Sequence, residues 1–409
     1  MTLRQHADQI IHSAISRVMP DKAVKSALEK KAFGENIYLV AAGKAAWQMA
    51  DAAYDVLGSS IKDGIVITKY HHSKGPIGTL RIFEAGHPIP DENSFLATEA
   101  AIELVTPLGE KDTVLFLLSG GGSALFEKPK ISGGELADIT QQLLACGADI
   151  SEINTIRKRL SLVKGGRFAQ LCAPAQVYAI VLSDIVGDPL DMIASGPVCP
   201  DSSTCEQAVS TAKHYGLRLS GQAEALLHVE TPKILSNVEA VLTGSVRQLI
   251  TGAAEAALAL GYRPITLTAS LCCEAKEAGS FLASIAQYHV DSKESLAFLA
   301  GGETVVHLTG GGLGGRNQEL ALSAAVGIDG MQSTAIFSFG SDGTDGPTDA
   351  AGGYVDGNTA KVLRKLGISI PEALQNNDAY PALKVCDGLI MTGPTGTNVN
   401  DVAVLLIKR

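Results

Sequence analysis

The chain has 409 residues, 46% of them hydrophobic and 19% charged, with a formal net charge of −10. That length predicts two or three domains, and the apolar share supplies a sizeable core and excludes a disordered chain. The acidic total excludes the basic footprint of a nucleic-acid binder, so an anionic small molecule would have to be held by local positive groups.

The seven cysteines, Cys146, Cys172, Cys199, Cys205, Cys272, Cys273 and Cys386, are odd in number, two are adjacent, and none shows CxxC or His/Cys ligand spacing. They read as reduced thiols of a cytoplasmic protein. In the first 22 residues, Ile10, Ile11, Ala14, Ile15 and Val18 repeat at helical spacing, as in an amphipathic packing helix rather than a leader. No run of about 18 apolar residues exists, so no membrane span is expected.

In chain order, the first strand–turn–helix unit is a strand at Ile37–Ala41, a turn at Gly43-Lys44, and a helix at Ala45–Leu57. A lysine at a strand–helix junction can reach a phosphate, and against the positive end of the helix dipole it is ill placed for stability alone. Lys44 is therefore a candidate site residue, with a plain surface lysine as the other reading; the GxxxxGK[ST] loop is absent. Further on, Gly86-His87-Pro88 and Pro90-Asp91 break the chain before a helix that Asp91, Asn93 or Ser94 would cap. His87 reads as structural, with an acid, base or orienting role as the alternative.

A fully apolar strand, DTVLFLL, then ends in Ser119-Gly120-Gly121-Gly122-Ser123. Consecutive glycines there let backbone N–H groups approach a ligand, and two serines add hydroxyl donors. This loop is a second expected anion or substrate contact. The basic cluster Arg157, Lys158, Arg159, Lys164 and Arg167 reads mainly as a solvated helix face. The strand Val177–Leu182 ends at Ser183-Asp184, with Asp188 and Asp191 close behind. Aspartates at the carboxyl end of a parallel strand sit where open α/β sheets bind ligands, so Asp184 or Asp188 is a base candidate or a water-mediated Mg²⁺ contact. Asp188-Pro189 also fits a simple turn.

A boundary near Thr231-Pro232 divides the chain into domains 1–230 and 231–409. In the second, Phe298–Val326 reads as an apolar strand, a loop with five glycines between Gly310 and Gly315, and a helix opened by Arg316 and Asn317. A glycine-rich turn feeding a helix start presents unpaired N–H groups, and arginine adds a planar fork for phosphate or carboxylate oxygens: an anion cradle. The strand Ala335–Phe339 delivers Asp342, Asp345 and Asp349 on a second glycine-rich loop, suited to metal or hydroxyl handling but without EF-hand spacing. Thr392–Asp401 is a Gly/Thr/Asn turn before a closing apolar strand. Strands and helices alternate throughout, which predicts two α/β domains with largely parallel, Rossmann-like sheets and a site in an interdomain cleft. No GxGxxG followed by a ribose-binding acid occurs in the context a dinucleotide fold requires.

GGETVVHLTGGGLGGRNQELAL, FGSDGTDGPTDAAGGYVD and TGPTGTNVND closely resemble the C-terminal signatures of the glycerate 2-kinase family, also called the MOFRL family. AGHPIPDENS, LLSGGGSALF, IRKRLSLVKGGR and LSDIVGDPLDMIASGP are similar to that family's N-terminal domain, so the resemblance runs from about Ile10 to the end of the chain. It implies ATP- and Mg²⁺-dependent phosphorylation of D-glycerate on its 2-hydroxyl, with D-glycerate and ATP as the partners and neither nucleic acid nor membrane; a homodimer is compatible with it. Some relatives are labelled hydroxypyruvate reductases, which makes NAD(P)H-dependent reduction the alternative. Two positions depart from the family pattern: Arg159 stands where relatives commonly have His, and Val246 where many have Asn.

The resemblance points to Lys44 and Arg316 as the charged residues of the site, and phosphoryl transfer needs such neutralisation more than covalent help. Asp184 or Asp188 would accept the substrate proton. Ser119, Gly120, Gly121, Gly122 and Ser123 would hold a carboxylate or phosphate, and Asp342 or Asp345 would hold Mg²⁺ through water. Glu303, Gly314, Asn317, Thr397 and Asn400 complete the expected binding set. Domain closure is expected to bring Lys44 and Arg316 to one phosphate.

Overall fold

Two runs of apolar strands, each six strands long, become two separate sheets in the computed structural model, which describes every residue except Glu35, Asp184, Val186 and Asp188. The chain divides into two compact units, Pro20–Thr243 and Met1–Met19 with Gly244–Arg409. The boundary thus falls at 243/244 rather than 230/231, because Val238–Gly244 is the last strand of the first sheet. The first helix, Leu3–Arg17, belongs to the second unit. Its buried Ala7, Ile10, Ile11 and Ala14 share a core with Leu249, Ile250 and Ala253 of the helix Val246–Ala259.

The first sheet contains β1 (Asn36–Ala42), β2 (Ile61–Lys69), β3 (Arg81–Ala85), β4 (Asp112–Leu118), β5 (Gln176–Leu182) and β6 (Val238–Gly244), in the order β3-β2-β1-β4-β5-β6. β1 runs parallel to β2 and β4, β2 to β3, and β4 to β5. Parallel sheets are covered on both faces, which is why these strands read as unbroken apolar runs. Side chains alternate between two cores: Val40, Val114, Phe116 and Leu118 enter one, while Leu39, Ala41, Leu115 and Leu117 enter the other. The strand order reverses between β1 and β4, and open α/β sheets bind ligands beyond the carboxyl ends at such a reversal. Lys44 and Ser119 follow those two strands directly. Of the three expected caps for the helix Glu92–Val105, Asp91 does the work, in a reciprocal pairing with Ser94.

The second sheet contains β7 (Arg263–Leu271), β8 (Leu296–Gly302), β9 (Thr334–Gly340), β10 (Gly352–Asp356), β11 (Leu389–Ile390) and β12 (Asp401–Ile407), in the order β11-β10-β9-β12-β8-β7. Only β7 and β8 pair in parallel; β12 is antiparallel to both β8 and β9, and β10 to β9 and β11. The expectation of a largely parallel sheet therefore fails for this unit. The turn before β12 starts at the edge where β8 and β9 end, so the last strand enters between them running the opposite way. Asp401 consequently faces Gly302 on one side and Gly340 on the other. That register collects the end of β8, the end of β9 and the start of β12 at one edge. Among the described residues no helix is long and apolar enough to cross a membrane.

Candidate active site

In the first unit the tips of β1 and β4 touch. Gly43 has φ +125°, and a Cβ there would stand 2.2 Å from the Ser119 hydroxyl oxygen, so only glycine fits. The Ser119 N–H donates to the Ala42 carbonyl (3.0 Å), the Lys44 N–H to the Gly120 carbonyl (2.9 Å), and the Ala45 N–H to Ser119 Oγ (3.0 Å). Ser119 is thus buried, and its hydroxyl oxygen accepts a bond that fixes the turn. The helix that follows, Ala46–Leu57, has no side-chain cap at its start. Among the described residues nothing bonds the Lys44 ammonium, so a free cation stands at an uncapped helix N-terminus beside the sheet's reversal.

Gly121, at φ +84°, lies against both Lys44 and His87: a Cβ on it would come 3.1 Å from His87 Nε2 and 3.2 Å from Lys44 Cγ. Burial lowers the His87 pKa, and the charges of Lys44, Lys69 and His72 lower it further, which favours the uncharged imidazole. A lone histidine in a proline-rich turn carries little signal in the sequence; the close approach of Gly121 is what sets it beside Lys44.

Beneath the loop lies a buried ionic network. The Ser123 carbonyl accepts from Lys164 Nζ (2.9 Å) and Arg157 Nη2 (3.0 Å), and Lys164 also bonds the carbonyls of Phe126 (3.2 Å) and Ala194 (3.4 Å). Lys164 lies 3.5 Å from Glu127, both side chains fully buried. Burial pulls the Lys164 pKa down to about 8, with Glu127 acting against it. Lys158 pairs with the buried Asp201 at 2.9 Å, and Arg159 bonds the Thr155 carbonyl (2.8 Å) and Ser203 Oγ (3.0 Å). The basic cluster is therefore interior, not a solvated face. Its compensating carboxylates come from distant segments, which a local reading does not pair. Ala194, Ser195 and Gly196 follow one another at positive φ, and a Cβ on Gly122 would stand 2.8 Å from that of Ala194. The glycine loop thus rests on a strained segment. Asp184 and Asp188 lie outside the described residues.

In the second unit Arg316 reaches Asp401 with two prongs, Nε to Oδ2 at 2.5 Å and Nη2 to Oδ1 at 3.1 Å, and its Nη1 donates to Glu303 at 2.8 Å. Asn400 Nδ2 bonds the other Glu303 oxygen at 3.2 Å. Burial alone would lower the Arg316 pKa, but the bond to Asp401 and the charges of Asp401, Glu303 and Asp345 raise it well above its ordinary value. Asp401 has no local sequence signal beyond being a polar residue at the mouth of an apolar strand, and it was missed.

The expected anion cradle is already filled from within the chain. Asp345 accepts the Asn317 N–H (3.1 Å) on one oxygen and the Gln318 N–H (2.9 Å) on the other, so its carboxylate sits on the N-terminus of the helix Arg316–Gly327. Burial raises its pKa to about 6 against those two bonds. The glycine loop is latched as well: Thr309 and Gly310 donate to Asn377 Oδ1 (2.8 and 3.0 Å), Gly312 to the Asn376 carbonyl (2.9 Å) and Leu313 to Asp378 Oδ1 (2.8 Å). Gly310, Gly312 and Gly315 are glycines because a Cβ would strike Asn376, Asp378 or Asp345. Gly314 packs against Ala379. Thr397 donates its hydroxyl to the Val18 carbonyl (2.9 Å), tying the first helix to this unit.

Asp342 accepts the Thr344 N–H (3.0 Å) and Asp349 the Tyr380 hydroxyl (2.7 Å), so the three carboxylates of the β9 loop serve three separate contacts. Among the described residues no three His, Cys, Asp or Glu side chains gather as a metal-holding group. Asp345, with both oxygens on backbone N–H groups, does not fit a resident Mg²⁺. The second unit thus brings together Glu303, Arg316, Asn317, Asp345 and Asn400, while Thr397 and Gly314 serve packing.

Comparison with known proteins places the chain. The profile of DUF4147, a domain of unknown function, matches residues 6–228, and that of the MOFRL family matches residues 296–401. A D-glycerate 2-kinase from Thermotoga maritima is 52% identical over 412 residues, covering 99% of each chain. A glycerate 2-kinase from Pyrococcus horikoshii is 40% identical, covering 96% of this chain and 91% of the relative. The crystal structure of a glycerate kinase from Thermotoga maritima superposes with a TM-score of 0.96 at 52% identity, covering 99% of each chain. The chain belongs to the glycerate 2-kinase family, and in it the DUF4147 match is followed by the MOFRL match.

Proposed function

We propose that the protein transfers the γ-phosphoryl group of ATP to the 2-hydroxyl of D-glycerate, giving 2-phosphoglycerate and ADP. The observation that carries this reading is the full-length identity of 52% to a protein named D-glycerate 2-kinase. The geometry supports it. The ammonium of Lys44, without a partner among the described residues, stands beside a glycine loop at the reversal of a parallel sheet, where a phosphate would meet both a cation and backbone N–H groups. Arg316 uses three of the five donors a guanidinium has, which leaves two for a phosphoryl oxygen.

Lys44 and Arg316 neutralise the moving group in this reading, and Gly120–Gly122 hold an anionic end of a substrate. Glu303 and Asn400 orient Arg316, while Asn317 and Asp345 fix the helix that carries it. Mg²⁺ arrives with the nucleotide as MgATP, as part of the substrate. The seven free thiols suit a cytoplasmic enzyme.

The test is to incubate the purified protein with D-glycerate and MgATP and follow ADP release, with hydroxypyruvate and NADH or NADPH in parallel. ADP release without reductant oxidation is expected, and NMR of the product should show the phosphate on carbon 2. Lys44→Ala should lower kcat by about 100-fold or more with the fold intact. Oxidation of NAD(P)H without ADP release would overturn the reading in favour of a reductase.

A further inference from the structure

The imidazole of His87 is held against the glycine loop after β4, beside Lys44. Its loop is tight: a Cβ on Gly86 would come 2.7 Å from the Ile89 carbonyl oxygen, so the chain turns sharply on either side of the ring. The ring reaches the glycine loop after β4. A single point, the position of a Cβ on Gly121, lies 3.0 Å from His87 Cδ2, 3.1 Å from Nε2 and 3.2 Å from Lys44 Cγ. Glycine leaves that point open, and any side chain at 121 would fill it. Neither ring nitrogen bonds another group among the described residues. His72, by contrast, sits with Nδ1 on the Lys44 carbonyl at 3.3 Å, and His6 with Nδ1 on the Tyr262 hydroxyl at 2.8 Å. A half-buried imidazole beside a lysine, neither with a partner among the described residues, is a poor arrangement for stability and a good one for chemistry.

We infer that His87 is a catalytic residue of the kinase reaction, accepting the proton of the glycerate 2-hydroxyl through Nε2; the inference rests on the reading proposed above. As the hydroxyl oxygen forms its bond to the γ-phosphorus, the bond from that phosphorus to the β,γ-bridging oxygen breaks. Its electron pair leaves with ADP, and the proton passes to the imidazole. Lys44, on the other side of Gly121, is placed to meet the phosphoryl oxygens.

The surroundings keep the ring in the form a base requires. Lys44 from the β1 tip, and Lys69 and His72 from the β2 end, all oppose a positive charge on it, as does burial. The nearby carboxylates are engaged elsewhere: Asp91 accepts from the Tyr70 hydroxyl at 2.6 Å and the Ser94 N–H at 3.0 Å, and Glu84 accepts the Ser73 N–H at 2.9 Å. The loop Ser119–Gly122 carries no charge. Protonation as pH falls would remove the base, so activity should decline on the acid side.

The experiment is the pH dependence of kcat and kcat/KM for D-glycerate at saturating MgATP, in wild type, His87→Asn, His87→Ala, Asp184→Asn and Asp188→Asn. His87→Asn should lose about 100-fold or more in kcat at neutral pH, with KM for MgATP and melting temperature little changed. Its acid limb should vanish, and added imidazole should restore part of the turnover of His87→Ala. Retention of kcat within about threefold in His87→Asn would overturn the assignment. So would an acid limb that survives in His87→Asn and disappears in Asp184→Asn or Asp188→Asn. A wild-type protein that releases no ADP with D-glycerate defeats the kinase reading and this inference together, whereas an active wild type with an unaffected His87→Asn defeats only this inference.

Discussion

Arg316 and Asp401 are 85 residues apart in sequence and form a two-pronged ion pair, with Nε–Oδ2 at 2.5 Å and Nη2–Oδ1 at 3.1 Å. The antiparallel entry of β12 between β8 and β9 makes this pair, because it sets Asp401 beside the ends of both strands. The arginine fork is therefore aimed by the sheet, with Glu303 closing a third side.

Lysine cannot reproduce that fork, since its ammonium is a point charge on a flexible stem. Arg316→Lys should fold and lose about 100-fold in kcat, while Asp401→Asn keeps the shape of the pair but removes its charge. The second variant should lose about 1.5–3 kcal/mol of stability, the worth of a hydrogen bond to a charged group. Steady-state kinetics and thermal melts of both variants check this. An Arg316→Lys enzyme with wild-type turnover would show that two-pronged aim is irrelevant.

Asp345 predicts an unusual pH dependence. Its carboxyl has a pKa of about 6 in the folded protein against 3.8 for the free group, so between those values the folded state holds a proton that the unfolded state has released. The stabilisation from this group is complete below about pH 3.8 and is lost as pH rises through about 6, on the order of 3 kcal/mol in all. Urea unfolding of wild type and Asp345→Asn from pH 4 to pH 7 isolates the contribution as the difference between the two. Wild type should lose stability relative to the variant as pH rises. A difference that stays flat would mean that the bonds from Asn317 and Gln318 outweigh burial.

What the sequence made legible was local. Lys44, Ser119–Ser123 and the Asp91 cap each announce themselves within a few residues, as an apolar run ending in glycine or a polar residue opening a helix. The relationships that give the second unit its site are long-range. Asp345 on the helix N-terminus and Asp401 under Arg316 link segments that carry no shared local pattern. The Leu3–Arg17 helix reads correctly as amphipathic, but nothing in its own periodicity says which unit its apolar face joins. The direction of β12 is hidden for a similar reason, since an apolar strand buried on both faces reads alike in either sense. The burial of Lys158, Arg159 and Lys164 follows from Asp201 and Glu127, which sit in other segments.

Asn377 latches the glycine loop. Its Oδ1 takes the N–H groups of Thr309 and Gly310, its Nδ2 bonds the His307 carbonyl (3.1 Å) and Glu319 (3.2 Å), and its backbone sits at φ +55°, which asparagine tolerates better than most residues. Asn377→Ala should cost about 2–4 kcal/mol and make residues 309–315 more open to proteases. Asn377→Gly should relieve the backbone share of that cost but not the loop exposure. Limited proteolysis and melting curves measure both. If the alanine variant is no more cleavable than wild type, the latch is not what holds the loop.

The pair Lys164–Glu127 offers a sharper energetic test, because both side chains are fully buried and, among the described residues, neither Glu127 oxygen has a hydrogen bond beyond the ion pairs with Lys164 at 3.5 Å and Arg157 at 3.8 Å. Lys164→Met removes the ammonium from the carbonyls of Ser123, Phe126 and Ala194 and leaves the buried Glu127 carboxylate with only the longer contact to Arg157 at 3.8 Å. Breaking a buried pair in this way costs about 3–5 kcal/mol, mostly from the charge left behind. Adding Glu127→Gln removes that charge, so the double variant should be more stable than Lys164→Met alone, with a coupling of about 1–3 kcal/mol in a double-mutant cycle. In the double variant the Phe126 and Ala194 carbonyls lose the ammonium, and the Ser123 carbonyl keeps only its bond from Arg157. Its kcat should therefore stay below wild type even where its melting temperature recovers, which separates the network's support of the Ser119–Ser123 loop from its contribution to folding. Additive losses in the cycle would show that Glu127 and Lys164 act independently.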